Sequence, residues 1–151
     1  MAGSVLGAQL YTVREFAKTP ADVRRTFERI RDIGYEAVQV SGLGPIEPEA
    51  LRDIAVAAGV RIVATHISFD SIVQDPARVI AEHRLWDCPH VAIGGMPQEY
   101  RAADGFARFA RDASRAARPL IDAGLSFSYH NHSFELERFG DRLGLEIFYD
   151  D

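Results

Sequence analysis

The chain has 151 residues, a formal net charge of −5 and 47% hydrophobic residues, a composition typical of one ordinary globular domain. A negative charge without a basic block argues against nucleic acid as the main partner, because phosphate groups require a cationic surface. Cys88 is the one cysteine, which excludes an intramolecular disulfide, and neither a signal peptide nor an apolar membrane segment is visible. We therefore expect a single domain over residues 1–151, a cytoplasmic location and no membrane partner.

The first half of the chain shows strands and helices in alternation. A strand is predicted over 5–11, and the following helix begins with Thr19 as its cap and Pro20 in its first turn and ends before Gly34. A second strand covers 37–40. The second helix follows Pro48 and stops at Gly59, and a third strand covers 61–65.

The same alternation continues to the end of the chain. A third helix begins at Asp75 and Pro76, and a short strand over 91–93 precedes a pair of glycines. A long helix is predicted over roughly 103–123, kinked or broken at Pro119, and a fifth strand over 125–131. Strands that recur about every 30 residues with helices between them predict a parallel sheet with right-handed crossovers.

Polar side chains and glycines concentrate where the predicted strands end. They are Gln9 and Tyr11, Gln39 and Ser41, His66, Gly94 and Gly95, and His130, Asn131 and His132. Because parallel strands end at one edge of a sheet, this pattern predicts a site there. Strands 1, 2 and 5 also alternate between a small or polar face and an apolar face, which favours a barrel interior. A five-stranded doubly wound parallel sheet is the alternative fold.

The segment from Tyr129 to Glu135 contains two imidazoles and a carboxylate within a few residues. If the fifth strand extends to residue 131, His130 and His132 lie on one face of it. The segment is then either a metal and substrate site or a polar loop whose histidines have structural hydrogen bonds. Glu135 is the best metal-ligand candidate in the first case, since Mg²⁺ and Mn²⁺ prefer oxygen ligands.

Four phrases of the sequence carry a resemblance to a known family. They are GAQLYTVR at 7–14, IGYEAVQ at 33–39, ATH at 64–66 and YHNHSFE at 129–135. The chain resembles the xylose-isomerase-like TIM barrels, (β/α)8, and in particular the sugar phosphate isomerase/epimerase group. The resemblance implies a divalent metal ion (Mn, Mg or Zn), held by carboxylates and a histidine at the carboxyl rim, and a sugar, polyol or keto compound as substrate.

The sequence departs from that family in two respects. Many members have a glutamate ligand where His130 stands here, so Glu135 is our candidate for that carboxylate. The ligands that the family places after strands 6, 7 and 8 have no counterpart. We therefore expect the chain to correspond to the N-terminal portion of a barrel, truncated after about five βα units, since a whole barrel needs about 250 residues.

The expected function is metal-dependent isomerisation or epimerisation of a sugar or sugar phosphate by proton transfer next to a carbonyl. The residues assigned are His66 and His130 as catalytic groups, Gln9, Tyr11, Gln39 and His132 as substrate ligands, and Glu135 as metal ligand. Dehydration of a polyol or keto-sugar and a non-catalytic half-barrel fragment are the alternatives. The strand-end polar groups could also satisfy backbone or loop groups, while His83 and His90 are expected to be structural. Open sheet edges predict a homo-oligomer.

Overall fold

The computed structural model describes residues 6–102 and 104–150. Its main sheet has five parallel strands with flanking helices. The strands are β1 (Gly7–Gln9), β2 (Ala37–Val40), β3 (Arg61–Ile67), β4 (His90–Ile93) and β5 (Ser126–Tyr129). The helices are α1 (Pro20–Ile33), α2 (Pro48–Ala58), α3 (Phe69–Gln74), α4 (Pro76–Leu85), α5 (Gly105–Asp122) and α6 (Gly144–Asp150). A small antiparallel hairpin consists of β6 (Arg138–Phe139) and β7 (Arg142–Leu143).

The strand order decides between the two predicted folds. The order in the main sheet is β1-β2-β3-β4-β5, the same as in the sequence. A doubly wound sheet reverses its strand order at a switch point, whereas a barrel adds each strand beside the previous one. The TIM-barrel-type α/β prediction is therefore confirmed, and the doubly wound alternative is wrong. None of the helices within the described residues is long and apolar enough to span a membrane.

The chain forms two compact units. The first contains the described residues up to His66 together with Ala81–Val91, and the second contains Ile67–Ile80 and the described residues from Ala92 onward.

Local signals determine the two long helices of the first unit. Thr19 and Asp22 form a capping box at the start of α1, where the Asp22 N–H donates to Thr19 Oγ1 and the Thr19 N–H donates to the Asp22 carboxylate. The apolar stripe of α1 includes Val23 and Phe27, which are fully buried in the core with residues of α2 and β2. α1 and α2 both end at a glycine with positive φ, as predicted from Gly34 and Gly59.

The first strand is shorter than predicted. β1 ends at Gln9, and Leu10–Phe16 is a 3₁₀ helix in place of the end of a strand over 5–11. Thr12 Oγ1 donates a hydrogen bond of 2.7 Å to the Gln9 carbonyl oxygen, so a local bond to a side chain closes the turn directly after the strand. Val5, the first residue of that predicted strand, lies outside the described residues.

In the second unit, the long helix α5 provides the apolar face. Phe106 and Phe109 are buried, and Phe109 stacks on Phe148 of α6 with ring centroids 5.7 Å apart. Of the predicted kink or break at Pro119, the break is wrong, because α5 continues to Asp122, within one turn of the proline, and the kink stays a prediction. Ala103, the predicted first residue of this helix, lies outside the described residues.

Three further boundaries differ from the prediction. β3 extends to Ile67, beyond the predicted end at 65, and β5 ends at Tyr129, before the predicted end at 131. The short helix α3 was not predicted. Its signal in the sequence is Ser68, which caps α3 by accepting a hydrogen bond from the Ser71 N–H.

Candidate functional site

The parallel register of the first unit brings several predicted residues into one row. Gln9 lies opposite Gln39 in the β1–β2 pair, and Gln39 lies opposite Ala64 in the β2–β3 pair. His66 is two residues beyond Ala64 and therefore lies on the same face of the sheet. All of these residues are near the carboxyl ends of their strands, so the structure brings Gln9, Gln39 and His66 together on one sheet face, as predicted.

A buried hydroxyl group orients the imidazole of His66. Ser41 follows β2 directly and is buried, and its Oγ lies 3.2 Å from His66 Nδ1. A hydrogen bond to one ring nitrogen selects the orientation of the imidazole and of its other nitrogen. His66 is the sixth of seven residues of β3 and is half-buried, so it lies inside the strand rather than just after it.

The opposite face of β3 has a structural role. Thr65 and His83 are both fully buried, and Thr65 Oγ1 lies 2.7 Å from His83 Nε2. The His83 ring also contacts Trp86, whose indole N–H donates to the Pro48 carbonyl oxygen at 2.9 Å. His83 is thus a buried structural residue, as expected, and the exposed His90 begins β4.

Tyr11 does not lie at the end of the first strand. It belongs to the 3₁₀ helix after β1, its side chain is 51% exposed, and the guanidinium of Arg14 lies 4.2 Å from the centre of its ring. Gly42, at φ +70°, leaves room for the ring, since a Cβ there would be only 2.9 Å from Tyr11 Cδ2. The change from strand to 3₁₀ helix therefore places Tyr11 beside Arg14 and Gly42, and its role as a substrate ligand stays a prediction.

The second unit contains the histidine pair. Since β5 ends at Tyr129, His130 and His132 lie in the following loop and not on the strand face, although the His130 N–H still donates to the Ile93 carbonyl oxygen at 3.0 Å. Their rings meet edge to face with centroids 4.9 Å apart. The His132 side chain is 47% exposed, and a Cβ at Gly95 would lie 3.2 Å from its Cε1. A glycine at the end of β4 thus permits this position of the ring.

Glu135 is fully buried and hydrogen-bonded through both oxygens. The Tyr129 hydroxyl donates to Oε1, and the His132 N–H donates to Oε2 at 2.7 Å. Burial, and next the neighbouring carboxylate, raise the pKa of Tyr129 well above its usual range, so the hydroxyl remains a donor. The partner Tyr129 was missed in the sequence because an apolar alternation placed it on the opposite face from the histidines.

The residues present do not fit a metal centre. Among residues 6–102 and 104–150, no three His, Cys, Asp or Glu side chains come together in a way that could hold a metal ion. Glu135 is fully buried, and both of its oxygens already accept hydrogen bonds from protein donors. Burial also raises the pKa of the Cys88 thiol, which disfavours the thiolate form that a nucleophile requires.

Among known proteins, the chain shows similarity to solved structures. No protein-family model and no curated protein sequence matches the chain. Two sugar phosphate isomerase/epimerase structures from Parabacteroides distasonis match with TM-scores of 0.78 and 0.75 at 19% and 18% identity. Both alignments cover 99% of this chain, and they cover 62% and 65% of those chains.

A more distant structure agrees with this match. A xylose isomerase domain containing protein from Salmonella typhimurium matches with a TM-score of 0.60 at 8% identity, over 85% of this chain and 51% of that chain. The chain therefore spans less than two thirds of the length of the structures it matches. At these identities the likeness shows a shared fold, and it confirms the predicted resemblance at that level.

Proposed function

We propose that this chain is, or forms part of, an enzyme that isomerises or epimerises a carbohydrate by moving a proton next to a carbonyl group. The observation that carries the proposal is the His66–Ser41 pair beside the aligned Gln9 and Gln39, at the carboxyl ends of three parallel strands. Barrel enzymes bind their substrates at this edge. The proteins that share the fold, two sugar phosphate isomerase/epimerases and a xylose isomerase domain containing protein, support the same reaction class.

The two glutamines suit the binding of a sugar. Each side-chain amide offers both a donor and an acceptor, which matches the mixed hydrogen-bonding capacity of neighbouring hydroxyl and carbonyl groups. Because Gln9 and Gln39 lie opposite each other on adjacent strands, they can bind successive oxygens of an extended substrate. In this proposal they orient the substrate and leave the proton transfer to His66.

His66 is the proposed acid–base group. A neutral imidazole takes the proton from the hydroxyl-bearing carbon next to the carbonyl; the electron pair of that C–H bond forms a C=C bond while the carbonyl π pair moves to oxygen, which gives an enediolate. In isomerisation the imidazolium returns the proton to the former carbonyl carbon, and the hydroxyl proton passes from one oxygen of the enediolate to the other. In epimerisation the first carbon takes its new proton on the opposite face, from water or a second acid. Such a group contributes about 10²–10⁴-fold to the rate, and Ser41 holds its ring in place.

The chemistry proposed for His66 uses neither the histidines of the second unit nor a metal ion. His130 as a second proton carrier and His132 as a substrate ligand stay predictions, and the proposal for His66 does not depend on them. A divalent metal is implied by the resemblance, but the described residues do not fit one, so no step of the proposal passes through it.

Carbohydrate binding without turnover is the second candidate function. It is favoured by the two hydrogen bonds of the buried Glu135 and by the lack, among residues 6–102 and 104–150, of three grouped side chains that could hold a metal ion. Dehydration of a polyol or keto-sugar would begin with the same proton transfer and would differ in the product that is released.

Isotope exchange separates these functions. The chain is incubated in D₂O with a ketose, or with its phosphate ester, and NMR follows the signal of the C–H group next to the carbonyl. We expect exchange of that proton, slowed at least about 100-fold by His66→Gln. His90→Gln, an exposed change at the start of β4, is the control and leaves the rate unchanged.

The same samples report binding. Sugar-induced shifts of the Gln39 side-chain amide and the His66 ring without isotope exchange would assign binding without turnover. If neither the shifts nor the isotope exchange occurs with the ketose or with its phosphate ester, the proposal is contradicted.

A further inference from the structure

We propose that Glu135 is a positioning residue that fixes His132 and the loop after β5, and is not a metal ligand. The importance of His132 in a reaction rests on the proposed function, whereas the positioning role itself is a property of the folded chain. The observations are the complete burial of Glu135 and its two hydrogen bonds, one to the last residue of β5 and one to the loop that follows it.

The Glu135 carboxylate is enclosed by protein and bound by two donors. A buried carboxylate without donors is strongly unfavourable, so the Tyr129 hydroxyl and the His132 N–H are required partners of Glu135. A metal ligand presents free oxygen lone pairs toward a cavity that the ion can enter. The Glu135 side chain has no exposed surface, and each oxygen is directed to a protein donor.

Aromatic contacts hold Tyr129, whose hydroxyl group binds Glu135. The Tyr129 ring packs against Phe109 of α5 and Phe148 of α6, with centroid distances of 5.8 Å and 4.7 Å. These contacts hold the ring, and its hydroxyl then determines where the Glu135 carboxylate can lie. The network therefore connects the loop to the packed helices of the second unit.

The His132 imidazole lies on the loop that Glu135 holds. The main chain of His132 is bound to Glu135, and its ring lies against Gly95 and nearly parallel to Phe134, at 16° and 6.0 Å between centroids. His132 Nδ1 is 4.0 Å from Glu135 Oε1, beyond hydrogen-bond distance. The ring is thus half-exposed and able to meet a ligand, while a buried group holds its backbone.

NMR of the whole chain tests this role without any substrate. In Glu135→Gln, the side-chain shape is kept, but one carboxylate oxygen becomes an NH₂ group that cannot accept a hydrogen bond. We expect hydrogen exchange of the His132 amide to become at least about tenfold faster, together with a shift of its ring resonances. Glu137→Gln, an exposed change two residues away, is the matched control and should alter neither signal.

Two further measurements complete the test. Tyr129→Phe removes only the hydroxyl group and should accelerate exchange of the same amide, so it decides the outcome if Glu135→Gln fails to fold. In a titration with Mn²⁺ alone, we expect Glu135→Gln and the parent chain to agree within about twofold, or both to bind none.

A loss of about tenfold or more in Mn²⁺ affinity in Glu135→Gln would overturn the proposal. Unchanged exchange of the His132 amide in both variants would also overturn it. Failure of the proposed function has a separate signature, because that function is judged by exchange at a sugar carbon and by its dependence on His66.

Discussion

Two neighbouring residues of β3 show how one strand serves both structure and chemistry. Thr65 and His66 point to opposite faces of the sheet, as adjacent strand residues must. Thr65 is bonded to the buried His83 on one side, and His66 is paired with Ser41 on the other. The hydrogen bond behind the strand fixes the backbone from which the candidate catalytic side chain projects.

Loss of the Thr65 hydroxyl is expected to destabilise the first unit. Thr65→Val keeps the side-chain shape but removes the hydrogen bond to His83 in a fully buried environment. We expect the free energy of unfolding to fall by about 1–3 kcal/mol, measured by urea denaturation. Thr12→Val, which removes an exposed hydroxyl bonded to the Gln9 carbonyl, is the control with a smaller expected effect. Equal losses in the two variants would contradict the structural importance of the buried pair.

For single residues, the sequence predicts the place of a residue along a strand better than it predicts the hydrogen-bond partners of that residue. Gln39 and His66 lie near the ends of their strands, as the sequence predicts, but the register shift between β2 and β3 at Val38 and Gln39, which sets the face of His66, could not be predicted. The bonds of Glu135 could not, because they depend on where β5 ends and on the packing of Tyr129 against α5. A one-dimensional pattern contains the spacing of these residues but not the end of the strand.

Among the elements, helices with local start and stop signals were predicted well. α1 and α2 begin at a proline and end at a glycine with positive φ, and these signals depend on backbone geometry alone. β1 and β5 were predicted too long. Strand length depends on hydrogen bonds to a neighbouring strand, and at β1 a side-chain bond from Thr12 to the Gln9 carbonyl competes with continuation.

The capping box of α1 gives a pH-dependent prediction. Hydrogen bonds from Thr19 hold the pKa of Asp22 below its usual range, so the folded state favours the ionised carboxylate. This contribution is present above the pKa of Asp22 in the unfolded chain and is lost as pH falls through its folded pKa. Thr19→Ala should therefore lower stability at neutral pH by about 1 kcal/mol, and by less in acid.

Urea unfolding of Thr19→Ala at neutral and acidic pH measures this difference. Ser114→Ala, an exposed change within α5, is the control because it removes a hydroxyl from a helix without affecting a cap. A cost of Thr19→Ala that is the same at both pH values would show that the Asp22 carboxylate does not take part in the cap.

For the whole molecule, the βα alternation of the sequence predicts a parallel sheet with right-handed crossovers. Alternation alone does not choose between a barrel and a doubly wound sheet; the polar and apolar faces of strands 1, 2 and 5 favour the barrel, and the observed order β1 to β5 agrees with it. The same order makes β1 and β5 the first and last strands of the sheet among the described residues, and an edge strand offers main-chain groups for pairing with another strand. Each end has exposed side chains, namely Leu6 before β1 and Ser128 within β5.

We expect the 151-residue chain to self-associate through these edges. Sedimentation velocity over a wide range of protein concentration should show association that increases with concentration. Ser128→Lys places a charge on β5 and should weaken this association, since an inserted strand would have to accommodate the lysine. Ser114→Lys adds the same charge to an exposed position of α5 and should leave association unchanged, which separates an effect at the edge from a change in net charge.

If both variants associate like the parent chain, contact through β5 is ruled out and the edge at β1 is the remaining candidate. A chain that stays monomeric at every concentration would refute association through either edge.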